Sequence, residues 1–159
     1  MNITEQDKTF MREAIRLADE SVKNGGGPFG AVIVRDGEIV AGSANSVTID
    51  NDPTAHAEVN TIRQACRKLG TFDLSDCVIY TSCEPCPMCL GAIYWAHIKR
   101  IYYGNTKKDA ADIDFADDFI YKELETSYEH RAVPFIPLLR EEAIKTFQAW
   151  QEKEDKVEY

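Results

Sequence analysis

The sequence predicts an α/β domain: a three-layer α/β/α sandwich around a central mixed sheet of about five strands. Blocks at helical spacing alternate with blocks at strand spacing along the chain. Glycines stop the first two helical blocks, and 159 residues with 44% apolar content suit one compact core across residues 1–159.

In chain order, Phe10, Ile15, Leu17 and Val22 among polar residues predict an opening helix over about 4–24, stopped by Gly25, Gly26 and Gly27. FGAVIVRDGEIVAGSAN then reads as a hairpin with Asp36-Gly37 at its two-residue turn. A second helix over about 55–69 is ended by Gly70, and its stripe of Val59, Ile62, Cys66 and Leu69 faces the core. CVIYTS is a strand, PMCLGAIYWAHI a short helix, and KRIYYG the next strand. An acidic helical segment follows over about 113–124. Residues 133–139 read as an edge or bulged strand because Pro134 and Pro137 cannot donate to a ladder. A last helix covers about 141–154.

Charge narrows the partners. The formal net charge is −9, with acidic runs in DIDFADD and EKEDKVEY. Basic residues cluster only modestly, at 63–68, at Lys99-Arg100 and at Lys107-Lys108. A nucleic-acid binder neutralises phosphates with clustered Lys and Arg, so a small uncharged ligand is the expected partner and nucleic acid is not. There is no long apolar run and no signal-peptide pattern at MNITEQDKTF, so the expectation is a soluble, cytoplasmic protein with no membrane partner.

Five cysteines, Cys66, Cys77, Cys83, Cys86 and Cys89, suit a reduced compartment and a metal better than a disulfide framework. TSCEPCPMC holds two overlapping C-x-x-C spacings. Pro85 pushes Glu84 out of the α region, so Cys83 belongs to extended chain. Pro87 is suited to a first helical position, which puts Cys86 at a helix start and Cys89 one turn on, facing the same point. The helix N-terminus favours thiolates there. Cys66 and Cys77 are expected to be packed thiols.

Among His56, His97 and His130, the first opens the second helix in TAHAE, where its ring can be aimed at the same metal. His97 ends a helix and His130 lies in a polar loop. Glu58 stands two residues after His56. A closed site of His56, Cys83, Cys86 and Cys89 would leave Glu58 idle, whereas three ligands leave a position for water whose proton Glu58 can take.

H-x-E followed by P-C-x-x-C, each at a helix start with a strand between, is the signature of zinc nucleobase deaminases. The sequence resembles the cytidine deaminase superfamily. Within it, GGPFGAVIV, the Asn45 region, NDPTAHAEVNTIR, YTSCEPCPMCLGAIYWA, DFIYKE, FQAW and the terminal Tyr resemble the small zinc-dependent guanine deaminases of bacteria. The first three segments are partly shared with tRNA adenosine deaminases.

The resemblance implies the cytidine deaminase-like fold, one Zn2+ per subunit held by His56, Cys86 and Cys89, and hydrolysis of guanine to xanthine and ammonia. Zinc-bound hydroxide would attack, with Glu58 as the proton shuttle. It further implies that Asn45 hydrogen-bonds the base and that Phe29, His56 and Trp95 pack on its faces. Asp117 would meet the N–H edge, with Asp114 and Asp118 as alternatives in register, and Tyr159 would close the pocket. A homodimer with an exchanged C-terminal segment is implied as well, in which Asp117 and Tyr159 would serve the partner's active site. The alternatives are a tRNA adenosine deaminase, a cytosine deaminase, or a non-catalytic zinc module with four protein ligands.

Overall fold

Thr4 and Asp7 start the first helix by satisfying each other's backbone. The Thr4 hydroxyl accepts from Asp7 N at 3.1 Å and the Asp7 carboxylate accepts from Thr4 N at 2.7 Å. The computed structural model describes residues 2–159 and places this helix, α1, at Glu5–Lys23. Asn24 caps its end, inside the predicted span.

The chain divides into two compact units, one up to Asp118 and the other Phe119–Tyr159. The first holds the sheet. β1 (Gly30–Arg35) and β2 (Glu38–Ala44) form the predicted hairpin, and Asp36 and Gly37 at its turn have φ of 51° and 78°. Positive φ at both turn residues is what a type I′ turn requires and what the Asp-Gly pair supplies. β3 (Cys77–Cys83) pairs antiparallel with β1, and β4 (Ile101–Asn105) pairs parallel with β3. Among the described residues the order is β2-β1-β3-β4, a mixed sheet of four strands.

The fifth expected strand does not form. Residues 133–139 carry no regular structure, and Leu139, at φ 54°, turns the chain into the last helix. Prolines at 134 and 137 remove two ladder donors from a seven-residue stretch, which leaves too few to sustain pairing.

Two further short helices flank the predicted ones, α2 (Val47–Asp50) and α5 (Lys107–Ala111). Between them lie α3 (Ala57–Leu69), closed by Gly70 at φ 66°, and α4 (Pro87–Trp95). β1 is buried along nearly its whole length, as expected of a strand covered on both faces. Phe10 and Ala14 of α1 pack with Val32, Val34 and Tyr80 on one side. Ala57, Ala65 and Ile93 pack with Ala31, Ile33 and Ile79 on the other, with Cys77 in the same cluster and Cys66 packed against it. Three layers follow from this alternation. Ile33, Leu74, Ile79 and Ile93 are almost wholly buried, each contributing about 1.5–3 kcal/mol relative to exposure.

The second unit contains all but the first residue of α6 (Asp118–Glu125), a 3-10 turn at Tyr128–His130 and α7 (Arg140–Glu152). The acidic helix begins at Asp118 rather than near 113 because Asp114 takes φ 69° and breaks the earlier segment. Tyr128 and Phe135 stack at 5.1 Å, and the Arg131 guanidinium lies 4.6 and 4.7 Å from their ring centres. No helix among the described residues is long and apolar enough to cross a membrane.

Candidate active site

Two helix N-termini meet at one point. His56 is the N-cap of α3 and Cys86 the N-cap of α4, both with extended backbone, and Pro87 occupies the first turn of α4 as its spacing predicts. Cys89 follows one turn on and is fully buried. The His56 Nδ1 atom lies 3.5 Å from Cys86 Sγ and 3.5 Å from Cys89 Sγ. The ligand atoms of all three residues fall within 4.8 Å of one another.

This donor set fits zinc. With Zn–S near 2.3 Å and Zn–N near 2.0–2.1 Å at tetrahedral angles, a ligating sulfur and nitrogen stand about 3.5 Å apart. Two thiolates and an imidazole leave the fourth position to a non-protein ligand, the arrangement of a catalytic site rather than a structural one.

The charges at the site follow from the same geometry. Cys86 is held down to about 4, first by the hydrogen bond from Cys89 and then by the His56 ring, against the opposing effect of burial. Cys89 is pushed up, because the neighbouring Cys86 thiolate, burial and the Glu58 charge all disfavour a second anion. The Cys86 hydrogen bond raises His56. A divalent cation reverses the penalty on Cys89, since it neutralises both thiolates at once.

Glu58 projects from the first turn of α3 and is 6% exposed. Its Oε2 lies 3.4 Å from Cys89 Sγ, and its Oε1 accepts from the Thr81 hydroxyl at 3.1 Å. Burial is the main cause that raises its carboxyl above the usual carboxylate range.

Cys83 does not join the donor set. Its Sγ lies 3.7 Å from the Thr106 carbonyl, it lines the cavity wall, and burial foremost raises its thiol to about 11. His97 sits at φ 61° with Nδ1 3.5 Å from Asp73 Oδ1, and His130 Nδ1 is 2.9 Å from Ser127 Oγ. Neither belongs to the metal-ligating group.

A cavity of about 310 Å3 opens above His56, Glu58 and Cys86. Phe29, Asn45 and Asp117 line it, and so does Asp114, while Asp118 is not among its lining residues. Asn45 is buried, and its Oδ1 accepts from Val47 N at 3.2 Å. Burial foremost raises the Asp117 carboxyl. Trp95 ends α4, is 66% exposed and is not among the lining residues, and Tyr159 ends the second unit at 72% exposure.

Sequence reasoning missed Phe115, whose ring meets Phe29 edge-on at 5.1 Å, and it missed Glu84 and Lys107. An aromatic residue isolated within an acidic run was the available signal for Phe115. Lys107 N donates to Glu84 Oε2 at 3.0 Å, a link between the α4 approach and α5.

Residues 4–105 match the cytidine and deoxycytidylate deaminase zinc-binding region. The chain is 54% identical over 153 residues to guanine deaminase of Bacillus subtilis strain 168, covering 96% of this chain and 98% of that protein. The X-ray structure of guanine deaminase from Bacillus subtilis superposes with a TM-score of 0.93 at 53% identity, covering 100% of this chain and 99% of the other. The tRNA-specific adenosine deaminase of Bacillus subtilis is 39% identical over 99 residues, 62% of each chain. Donor set, carboxylate and fold therefore agree with ancestry: the chain belongs to the zinc-binding cytidine and deoxycytidylate deaminase family, which it shares with the Bacillus subtilis guanine deaminase.

Proposed function

We propose that this protein hydrolyses guanine to xanthine and ammonia. The observation that carries this reading is Glu58, a buried carboxylate held against a His-Cys-Cys donor set at the base of an aromatic-lined cavity. Likeness to guanine deaminase over 153 residues, against 99 for the tRNA-specific enzyme, supports guanine over a nucleic acid. The net charge of −9 supports it too.

When bound by His56, Cys86 and Cys89, zinc supplies a Lewis acid that lowers the pKa of water in its open position to about 7. Glu58 accepts a proton from the water that adds to the ring carbon bearing the amine. It passes that proton to the adjacent ring nitrogen, then takes the proton of the newly added hydroxyl and gives it to the amine, which leaves as ammonia as the carbonyl forms. A carboxylate raised by burial is suited to alternate between base and acid.

Asn45 spends its Oδ1 on the backbone, which leaves its amide hydrogens to donate to the carbonyl of the base. Phe29 and Phe115, set edge to face, offer an apolar corner to the ring. Asp117 accepts from ring N–H groups, and Trp95 and Tyr159 complete the enclosure in a homodimer.

Support for the dimer comes from the second unit. Its helices bury no residue, yet Phe119, Leu124, Ile136, Leu138 and Phe147 are all exposed. Covering such a surface calls for a partner, and a second copy of the chain that exchanges residues 119–159 provides one. Asp117 lines the cavity of its own chain, which supports an exchange that begins beyond it. Five free cysteines favour a reducing cytoplasm.

Ammonia release from guanine, adenine, cytosine and adenosine-containing tRNA tests the substrate. Release from guanine is expected; release from cytosine or tRNA alone would overturn it.

A further inference from the structure

We infer that Thr81 is the positioning residue for Glu58, its hydroxyl fixing which carboxylate oxygen faces the metal donors; this rests on Glu58 as the proton carrier proposed above. Thr81 stands on β3, two residues after Ile79 and four after Cys77. Those two residues belong to the apolar cluster beneath α3 and α4, and side chains of a strand alternate, so Thr81 shares their face. A third apolar residue would continue that layer. A hydroxyl stands there instead, in a residue 1% exposed.

A buried hydroxyl is unfavourable without a partner. Thr81 Oγ1 has two acceptors, Glu58 Oε1 at 3.1 Å and the Cys83 carbonyl at 3.0 Å, and one proton to give. A charged acceptor makes the stronger bond, so an ionised Glu58 takes it. The two carboxylate oxygens thereby acquire different roles. Oε1 is tied to the sheet, and Oε2, 3.4 Å from Cys89 Sγ, is turned toward the donor set. The Cys83 carbonyl keeps the hydroxyl satisfied whenever Glu58 releases it.

A purely structural threonine would need only the local bond to Cys83. The two roles separate on substitution. Thr81→Val keeps the shape and removes the hydroxyl, and Thr81→Ser keeps the hydroxyl; Thr81→Ala replaces the valine variant if that chain does not fold. With zinc loaded, Thr81→Val is expected to lose about 10- to 100-fold in kcat, the scale of a displaced catalytic group, with KM little changed. Thr81→Ser should recover most of the loss, and Thr81→Val should add nothing in a Glu58→Gln background. In the zinc-free protein the side-chain carboxyl carbon-13 resonance of Glu58, assigned by its absence in Glu58→Gln, should move in Thr81→Val and return in Thr81→Ser. A parental kcat in Thr81→Val, a Thr81→Ser variant as slow as valine, or an unmoved resonance would overturn the assignment. Should the parent protein release no ammonia from guanine, the substrate reading fails separately and the resonance alone decides the role of Thr81.

Discussion

Glu58 Oε2 and Cys89 Sγ lie 3.4 Å apart although 31 residues separate them in sequence. The contact joins the first turns of α3 and α4, so one carboxylate adjoins a position where two thiols and an imidazole converge. A zinc module that served stability alone would gain nothing from a buried anion there, since a carboxylate is costly to desolvate.

Glu58→Gln keeps the side-chain shape and removes the proton-carrying oxygen. Ammonia release should fall by about 10²- to 10⁴-fold, the usual span for a general acid–base group. Zinc content, measured by atomic absorption, should not change. Parental turnover in this variant would remove Glu58 from the chemistry.

Gly30 lets α1 cross close to the sheet. A Cβ there would collide with the Ala14 carbonyl and stand 2.6 Å from Ala18 N. Gly30→Ala should therefore lower stability by roughly 1–3 kcal/mol, read from urea unfolding, as overpacking does. An unchanged midpoint would mean that α1 yields without cost.

Asp7 couples α1 to the sheet through the Tyr80 hydroxyl, which donates to it at 2.5 Å. The Thr4 hydroxyl first and Tyr80 second hold the Asp7 carboxyl down to about 2, from an ordinary 3.8. A depressed acid stabilises fully above its unfolded pKa and loses that contribution as pH falls through the folded one. Asp7→Asn should thus unfold at lower urea than the parent near neutral pH, and the gap should close between about pH 4 and pH 2. A gap independent of pH would contradict a depressed Asp7 carboxyl.

Much of the architecture is legible in the sequence, because punctuation residues act locally. Asp36-Gly37 set the hairpin, Gly70 ended α3, and Pro87 opened α4 with Cys86 as its cap. The two helices that escaped notice have four and five residues, too short to show a period. The Thr106 and Asp109 capping box could have revealed α5. His56, Glu58, Cys86 and Cys89 were legible from spacing because helix starts aim side chains predictably. Thr81 and Phe115 were not, since their roles depend on which strand or loop faces α3 and Phe29 across long separations.

Deleting Tyr159 tests the proposed closure of the pocket. Loss of one aromatic contact, worth about 0.5–1.5 kcal/mol, should raise KM for guanine about 2- to 10-fold with zinc retained. Sedimentation should find a dimer. An unchanged KM would remove Tyr159 from substrate binding.

X-ray absorption at the zinc edge tests the donor set most directly. Ligation by His56, Cys86 and Cys89 predicts two sulfurs, one nitrogen and one exchangeable oxygen. Three sulfurs would draw Cys83 into the site, close it, and contradict a hydrolytic role for Glu58.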